Sequence, residues 1–281
     1  MNFDMNAAWE RAVELIKDNV QLLAIIAAVF LLLPSIAINL FMPNMAAISE
    51  PGGDPEVVWA QLQANIGPII IAGVLGSIVQ FAGYGAMIAL MGRTRPTVGE
   101  AIATGFKITP TIIAVFLLYF LLYFLGAVLV VLPLVLIIGF SGAGEGAGAI
   151  AGALGVIPIM LVAIYIAARM SMSMAVVVLE GTLNPITATL RSFKLTHKRQ
   201  WSILIFWVVL FALYFVIALL FSGGVGAIAA LAGGGTMTAL ILGITNGLMG
   251  MASGMIISAL AVAIFQQLSG PDAGEVSSVF E

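Results

Sequence analysis

Four long stretches without a charged residue constrain the fold of this chain more than any other feature of its sequence. A helix needs about 20 apolar residues to cross the ~30 Å hydrocarbon core of a bilayer, so three stretches can each supply one span and the longest can supply two. Only 8% of the residues are charged, against about 25% in soluble domains, and the mean hydropathy is +1.18. The sequence therefore predicts an integral membrane protein. The four stretches are 19–49, 57–92, 108–144 and 200–271.

The positions of the Lys and Arg residues indicate six spans. Nine of the ten, all except Arg169, form three clusters, which the positive-inside rule places in the cytoplasm, whereas the connections without them are external. An even number of spans must then separate successive clusters. The clusters are Arg11 and Lys17; Arg93, Arg95 and Lys107; and Arg191, Lys194, Lys198 and Arg199.

Long Leu, Ile, Val and Ala runs without strand-like alternation favour helices over a membrane barrel. We therefore predict an all-α integral membrane protein with six transmembrane helices, multi-pass in the bacterial inner (cytoplasmic) membrane, with both termini cytoplasmic and an uncleaved first helix. Two Gly-rich connections, 141–155 and 222–237, are expected to be external loops, either exposed or partly buried in the membrane. The predicted spans are 20–41, 67–91, 110–139, 156–180, 201–222 and 238–267.

An internal repeat organises the spans. The strings ALMGRTRP (89–96) and VVLEGTLNP (177–185) align at an offset of 89 residues, and FKIT (106–109) and FKLT (193–196) follow them. A looser third copy begins near the N-terminus. We predict one membrane domain, 1–281, with three repeats that each combine an amphipathic short helix and a helical hairpin. The repeats cover approximately 1–92, 93–181 and 182–270, and a short cytoplasmic tail, 271–281, follows.

The short helices have their own sequence signals. Over residues 4–20, apolar side chains recur at helical spacing opposite a charged face. The second helix begins with a capping box from Thr97 to Glu100, and in the third Asn184 caps a helix that starts at Pro185. These helices either orient the following span or bind lipid in the interface. In the second case, the expected contacts with anionic headgroups are Lys107, Lys194, Lys198 and Arg199, with Trp201 at the membrane boundary.

Residues 168–210 carry a family pattern. An Arg precedes a Glu-Gly pair by eleven residues, and a Pro-led short helix with an Arg-Ser-aromatic-x-Leu-Thr string follows. This segment resembles the membrane domain associated with bacterial glycerophosphodiester phosphodiesterases and its stand-alone six-span relatives. The resemblance implies a repeated helical core. Relatives often carry a Pro after the Arg, which would kink the helix, but this chain has no Pro there. The matching residues are Arg169, Glu180, Gly181, Pro185, Arg191 and Ser192, the last two opening the string that ends at Thr196.

The resemblance does not extend to catalysis. A glycerophosphodiester phosphodiesterase needs a soluble barrel with acidic metal ligands and paired histidines, whereas this chain has one histidine, His197. A lone His without nearby carboxylates cannot assemble a typical metal site or catalytic triad. No nucleotide-binding or hydrolase motif occurs in the sequence either. We therefore expect no enzyme activity, no catalytic residues, no metal and no cofactor.

Arg169 is the residue of the spans that most needs an explanation. The 89-residue offset aligns it with Gln80 and Ser258, and predicts that all three lie near the middle of the membrane. An Arg at that depth costs at least ~2.5–3.5 kcal/mol on insertion scales and normally has a partner. Candidate partners include Gln80, Asn246, nearby serines, backbone carbonyls and an anionic ligand. Arg169 is a structural link between repeats, a ligand or permeation site, or an interfacial residue of a longer helix.

Three functions are compatible with these features. The first is a lipid- or envelope-associated protein that binds an amphiphile or lipid between repeats. The second is a small-molecule transporter or channel with a midplane polar site at Gln80 and Arg169. The third is a membrane scaffold for partner proteins. We expect membrane lipids as partners, membrane proteins in the scaffold case, and no nucleic acid.

Overall fold

The described part of the chain is almost entirely helical. The computed structural model describes residues 3–41, 55–93, 96–140, 146–231, 233 and 235–270, and none of these residues lies in a strand. The predicted all-α class is confirmed over these ranges. The predicted tail 271–281, residues 141–145 of the external connection, and Arg95 lie outside them. The helices are α1 (Met5–Ala27), a π-helical segment (Ala28–Leu32), α2 (Leu33–Phe41), α3 (Pro55–Leu90), α4 (Val98–Phe140), α5 (Gly146–Met170), α6 (Ser173–Leu179), α7 (Pro185–His197), α8 (Gln200–Leu231) and α9 (Gly235–Ser269).

Within the described residues, six helical stretches are long and apolar enough to cross a membrane, the number that the basic clusters predict. Large apolar side chains along them face outward: Leu129 is 75% exposed and Leu220 is 74% exposed. Exposed apolar area on this scale suits contact with lipid rather than water. The chain is therefore a multi-pass membrane protein by the length and composition of its helices. The six stretches are Met5–Phe41, Leu62–Leu90, Val98–Pro133, Pro158–Leu179, Gln200–Ala229 and Gly235–Ser269.

The amphipathic short helices are not all separate elements. The first continues directly into its span, as α1 and α2 with the π-helical segment between them, and the second forms the start of α4. Nothing at these two junctions interrupts the backbone hydrogen bonding, so the change from amphipathic to apolar sequence occurs within one helix. The predicted capping box is present: the Thr97 N–H donates to Glu100 Oε2 at 2.8 Å, and the Glu100 N–H donates to Thr97 Oγ1 at 3.4 Å. Only the third short helix, α7, is followed by a turn before its span.

The structure corrects the predicted ends of two spans. The predicted span 156–180 is interrupted at Ser171 and Met172, where α5 gives way to α6 without a proline. Ser171 Oγ donates to the carbonyl O of Ala168 at 2.8 Å, a local side-chain bond of the kind that bends helices. Where the structure describes them, the predicted external loops are largely helical, since α5 begins at Gly146 and α8 extends to Leu231. Helix is the backbone conformation that hydrocarbon would require of them, because backbone groups without water must be paired within the chain even where the sequence is rich in glycine.

The chain forms two compact units, and their boundaries fall within helices. Unit 1 comprises Met1–Met5, Thr111–Phe211 and Phe265–Glu281; unit 2 comprises Asn6–Pro110 and Ala212–Ile264. In unit 1, α7 packs against α5 and α6. The fully buried side chains of unit 1 include Met172, Val176, Val177 and Ile203.

In unit 2, glycines on α9 let helix backbones approach closely. A Cβ on Gly243 would lie 3.0 Å from the Cα of Ile36, and a Cβ on Gly247 would lie 3.1 Å from the Cα of Leu32. Small residues at such positions are typical of packed transmembrane helices. α9 therefore packs directly on α2 and on the π-helical segment.

Candidate functional site

The connection between α6 and α7 contains Glu180, Gly181 and Asn184, and Pro185 begins α7. Glu180 is the C-cap of α6, and Gly181 follows with φ of +67°, a left-handed conformation that glycine adopts without the steric cost of a Cβ. Asn184 then accepts hydrogen bonds from two backbone N–H groups in the first turn of α7, and Pro185 is the first residue of that helix. The predicted start of the third short helix is confirmed.

α7 buries small polar side chains and exposes both apolar and charged ones. Thr189, Ser192 and Thr196 are buried, whereas Ile186 and Leu190 are 59% and 57% exposed. Arg191 and Lys194 are also exposed. The buried side of α7 therefore offers hydroxyl groups to α5, and its exposed side combines apolar and basic residues, as in helices that lie in a membrane interface.

Arg169, in the last turn of α5, forms hydrogen bonds with hydroxyl groups of α7. Its Nη1 donates a hydrogen bond to Thr196 Oγ1 at 3.0 Å, and its Cζ lies 4.7 Å from the centroid of the Phe193 ring, a cation–π position. The carbonyl O of Arg169 accepts a hydrogen bond from Ser192 Oγ at 2.8 Å. The side chain is only 6% exposed, and its Nε has no hydrogen-bond partner among the described residues. No carboxylate of the described chain pairs with the guanidinium, so its charge is uncompensated.

Arg169 lines a cavity of about 750 Å³, which we term the basic recess. No acidic residue from the described ranges lines it. Lys194, His197 and Lys198 form no ion pair within the part of the chain that the structure describes. The recess therefore has a strongly positive lining. Its cationic residues are Arg169, Arg191, Lys194, Lys198 and Arg199, and its apolar residues include Phe3, Leu190, Phe193, Leu195 and Leu268.

Arg191, a cation of the recess, has a carboxylate partner. Arg191 Nε donates to the two carboxylate oxygens of Glu180 at 3.0 and 3.3 Å. The Arg191 side chain is 45% exposed and that of Glu180 is 28% exposed. Glu180 and Arg191 thus pair with each other, and the pair joins the end of α6 to the middle of α7.

Gln80 and Asn246 line a different cavity, in unit 2. This cavity of about 400 Å³, which we term the polar cleft, is formed by α2, the π-helical segment, α3 and α9. Both carboxamide side chains are exposed in it. The structure therefore does not place these two residues in the cavity that Arg169 lines, although the repeat offset aligns Gln80 with Arg169.

The other residues singled out from the sequence lie outside both cavities. Ser258, on α9, is 1% exposed, and its Oγ has no hydrogen-bond partner among the described residues. Lys107 is exposed on α4, and Trp201 is 65% exposed at the start of α8. Of the predicted headgroup contacts, the three that line the basic recess are Lys194, Lys198 and Arg199.

Sequence reasoning missed the direct partners of Arg169, which are Phe193 and Thr196. A signal was present, because both belong to the repeated Phe-Lys-x-Thr string. In the earlier copy, Thr109 Oγ1 donates to the carbonyl O of Gly105 at 2.8 Å, just as Thr196 Oγ1 donates to that of Ser192 at 2.8 Å. The string thus forms the same local bond twice, and only the later copy receives an arginine.

Comparisons with protein-family models, with curated proteins and with solved structures gave no match to this chain, so the interpretation of the basic recess depends on its own geometry.

Proposed function

We propose that this chain is a non-catalytic, multi-pass protein of the bacterial inner membrane that binds an anionic lipid or related amphiphile in the basic recess. The observation that carries the proposal is the state of Arg169. Its guanidinium is buried, has no carboxylate partner among the described residues, and lines a cavity whose other charged residues are also positive. An anionic ligand would balance this positive charge.

The free energy of a buried guanidinium supports this reading. Taking an ion out of water costs several kcal/mol even after relaxation. A hydrogen bond to a hydroxyl and a cation–π contact offset only part of that cost. Phosphate oxygens would supply charge-assisted hydrogen bonds in the geometry that Arg favours. Lys194 and Lys198 could approach the same phosphate from the rim.

The surroundings of the recess favour an amphiphile over a free anion. Leu190 lines the recess and is exposed on α7, as is Ile186 one turn earlier. A ligand with its charged group beside Arg169 can therefore extend an acyl chain over Leu190 and Ile186. Interfacial helices with basic residues beside an apolar face bind anionic membranes in this way.

We further propose that the recess faces the cytoplasm, because residues 191–199 form part of its lining and belong to a basic cluster. The matching Thr109 and Thr196 bonds support a repeated architecture. The resemblance of residues 168–210 to a membrane domain associated with glycerophosphodiester phosphodiesterases is in keeping with a lipid-related role.

Lipid retention measured by native mass spectrometry tests the proposal. The full chain, purified in detergent, is incubated with phosphatidylglycerol. Phosphatidylcholine, which has no net charge, serves as the control lipid. We expect preferential retention of phosphatidylglycerol. Arg169→Gln should reduce it at least about tenfold, since a charge-assisted hydrogen bond contributes roughly 1.5 kcal/mol or more. Lys194→Gln should reduce it about fivefold, since a basic residue near an anionic surface contributes about 1 kcal/mol.

Lys107→Gln is the matched control. Lys107 follows a Phe in the same repeated string, is exposed, and does not line the recess. It should leave retention unchanged. Equal retention of the two lipids by the wild type, or equal losses in Lys107→Gln and Lys194→Gln, would refute the proposal. Lys194 is exposed, so its variant remains informative if Arg169→Gln fails to fold.

A further inference from the structure

The polar cleft of unit 2 holds uncharged hydrogen-bonding side chains inside helices that are otherwise apolar. Ser35 and Asn39 come from α2, Ser77 and Gln80 from α3, and Asn246 from α9. All five lie in stretches that are long and apolar enough to cross a membrane. Their presence at one helix junction is not explained by packing, which the glycines of α9 already permit.

Three of these side chains use their donors within the protein. Ser35 Oγ donates to the carbonyl O of Gly243 at 3.1 Å, Asn39 Nδ2 donates to that of Ser35 at 2.9 Å, and Ser77 Oγ donates to that of Val74 at 2.8 Å. Their side-chain oxygens still have lone pairs to accept further hydrogen bonds. The wall of the cleft therefore offers acceptors to whatever occupies it.

The two carboxamides offer both donors and acceptors. The Asn246 side chain forms no hydrogen bond within the described ranges, and the Gln80 side chain has one with the Tyr84 side chain. Each carboxamide has two N–H donors and a carbonyl acceptor, so most of this capacity is unused. Exposure of such groups to hydrocarbon is unfavourable unless they are paired. The cleft therefore requires a polar occupant.

The occupant should be neutral. No charged residue in the described part of the chain lines the cleft. A charged headgroup would lose hydration there without gaining an opposite charge. Hydroxyl groups, which both donate and accept, match the mixture of carboxamides and hydroxyls on the wall.

The occupant should also be amphiphilic, because an apolar groove of about 260 Å³ adjoins the cleft. The two cavities share Pro34, Ile38, Ala72 and Gly76, and the groove continues over Phe41, Leu75 and Val79. The π-helical segment, which contributes Phe30 and Leu31 to the cleft, adds a rare backbone geometry that is frequent at functional sites.

We infer that the polar cleft and this groove together bind an uncharged, hydroxylated amphiphile of the acylglycerol class. Its hydroxyl groups pair with Gln80 and Asn246, and an acyl chain lies in the groove. Among the described residues, the site shares no lining residue with the basic recess and has no charged one. Failure of one site in an experiment therefore leaves the other testable.

Retention of dioleoylglycerol by the full-length protein in detergent tests the inference. Gln80→Leu and Asn246→Leu should each reduce retention roughly two- to tenfold, the effect of losing one hydrogen bond, while retention of phosphatidylglycerol stays unchanged. Gln63→Leu is the matched control, because Gln63 lies exposed on the same helix and does not line the cleft. Losses as large in Gln63→Leu as in Gln80→Leu would overturn the inference.

A labelling experiment gives a second measurement that does not depend on the leucine variants. The chain has no cysteine, so Ser77→Cys introduces a single thiol inside the cleft. Dioleoylglycerol should slow maleimide labelling of this thiol severalfold, and phosphatidylglycerol should not. Equal labelling rates with and without dioleoylglycerol would show that the cleft does not bind this class of lipid.

Discussion

The Arg169 guanidinium lies over the ring of Phe193, with Cζ 4.7 Å from the ring centroid. Since a desolvated cation–π contact contributes about 0.5–2 kcal/mol, we expect Phe193→Leu to lower the free energy of unfolding by that amount beyond its loss of apolar area. Chemical unfolding in detergent measures the change. Phe193→Leu in an Arg169→Gln background is the control, because no cation then lies over the ring. Equal losses in the two backgrounds would contradict a contribution from the cation.

Thr196 gives a second test of the Arg169 environment. Thr196→Val removes the acceptor of the Arg169 Nη1 hydrogen bond and the donor to Ser192, whereas Thr109→Val removes only the equivalent donor to Gly105. Both threonines are buried. Leaving a buried cation donor unpaired costs about 1–3 kcal/mol, so Thr196→Val should be more destabilising by about that amount. A difference near zero would mean that another group satisfies Nη1.

Gly105 tests the packing of α4 on α3 in unit 2. A Cβ at this position would overlap the carbonyl O of Ala82, whereas a Cβ on Gly99, also in α4, would meet nothing within 4 Å. Gly105→Ala should therefore destabilise by about 1–3 kcal/mol. Gly99→Ala should be neutral or stabilise by up to about 1 kcal/mol. Thermal unfolding of the two variants measures the difference. If Gly99→Ala were the more destabilising of the two, the packing of α4 on α3 described above would be wrong.

The Glu180–Arg191 pair is expected to affect ligand binding more than stability. Both side chains are partly exposed, so Glu180→Gln should change the free energy of unfolding by less than about 1 kcal/mol. Arg191 lines the basic recess, and loss of its partner should raise phosphatidylglycerol retention by up to about fivefold. Glu14→Gln removes another exposed Arg–Glu contact, 3.1 Å long, whose residues do not line the recess. A rise in both variants would point to a general charge effect.

Salt should weaken lipid binding by the exposed cations of the recess more than binding by the buried cation. The Debye length is about 10 Å at 0.1 M salt and about 3 Å at 1 M. Retention of phosphatidylglycerol should therefore fall severalfold between these concentrations. The fall should be smaller in a Lys194→Gln, Lys198→Gln double variant, because both lysines are exposed whereas Arg169 is buried. An identical salt dependence in the double variant would argue against a role for the lysines.

Local signals were sufficient to predict the ends of some helices. The caps at Thr97 and Asn184 involve residues within one turn of each other, so the sequence contains all of their partners. The six apolar stretches were equally predictable, because length and composition alone decide whether a helix can cross a membrane. Helix length was less predictable. Residues 222–231 are rich in glycine and predicted a loop, yet they continue the helix α8 to Leu231.

Tertiary contacts account for what the sequence did not predict. The partner of Arg169 depends on how α7 lies against α5, and Thr196 is 27 residues away along the chain. Gln80 and Asn246 share a cleft because α3 and α9 meet α2, which no repeat offset encodes. The break at Ser171 occurs without a proline and coincides with the point where α7 contacts the end of α5.

The hydrogen bond from Arg169 to Thr196 also sets an order of events during synthesis. The hydroxyl that receives the guanidinium is added 27 residues after the arginine, a delay of a few seconds at the usual rate of about 5–20 residues per second. During that interval the arginine has been synthesised but its acceptor has not. The guanidinium therefore gains this hydrogen bond only after α7 has been made and has packed against α5, so the two helices must assemble as a pair.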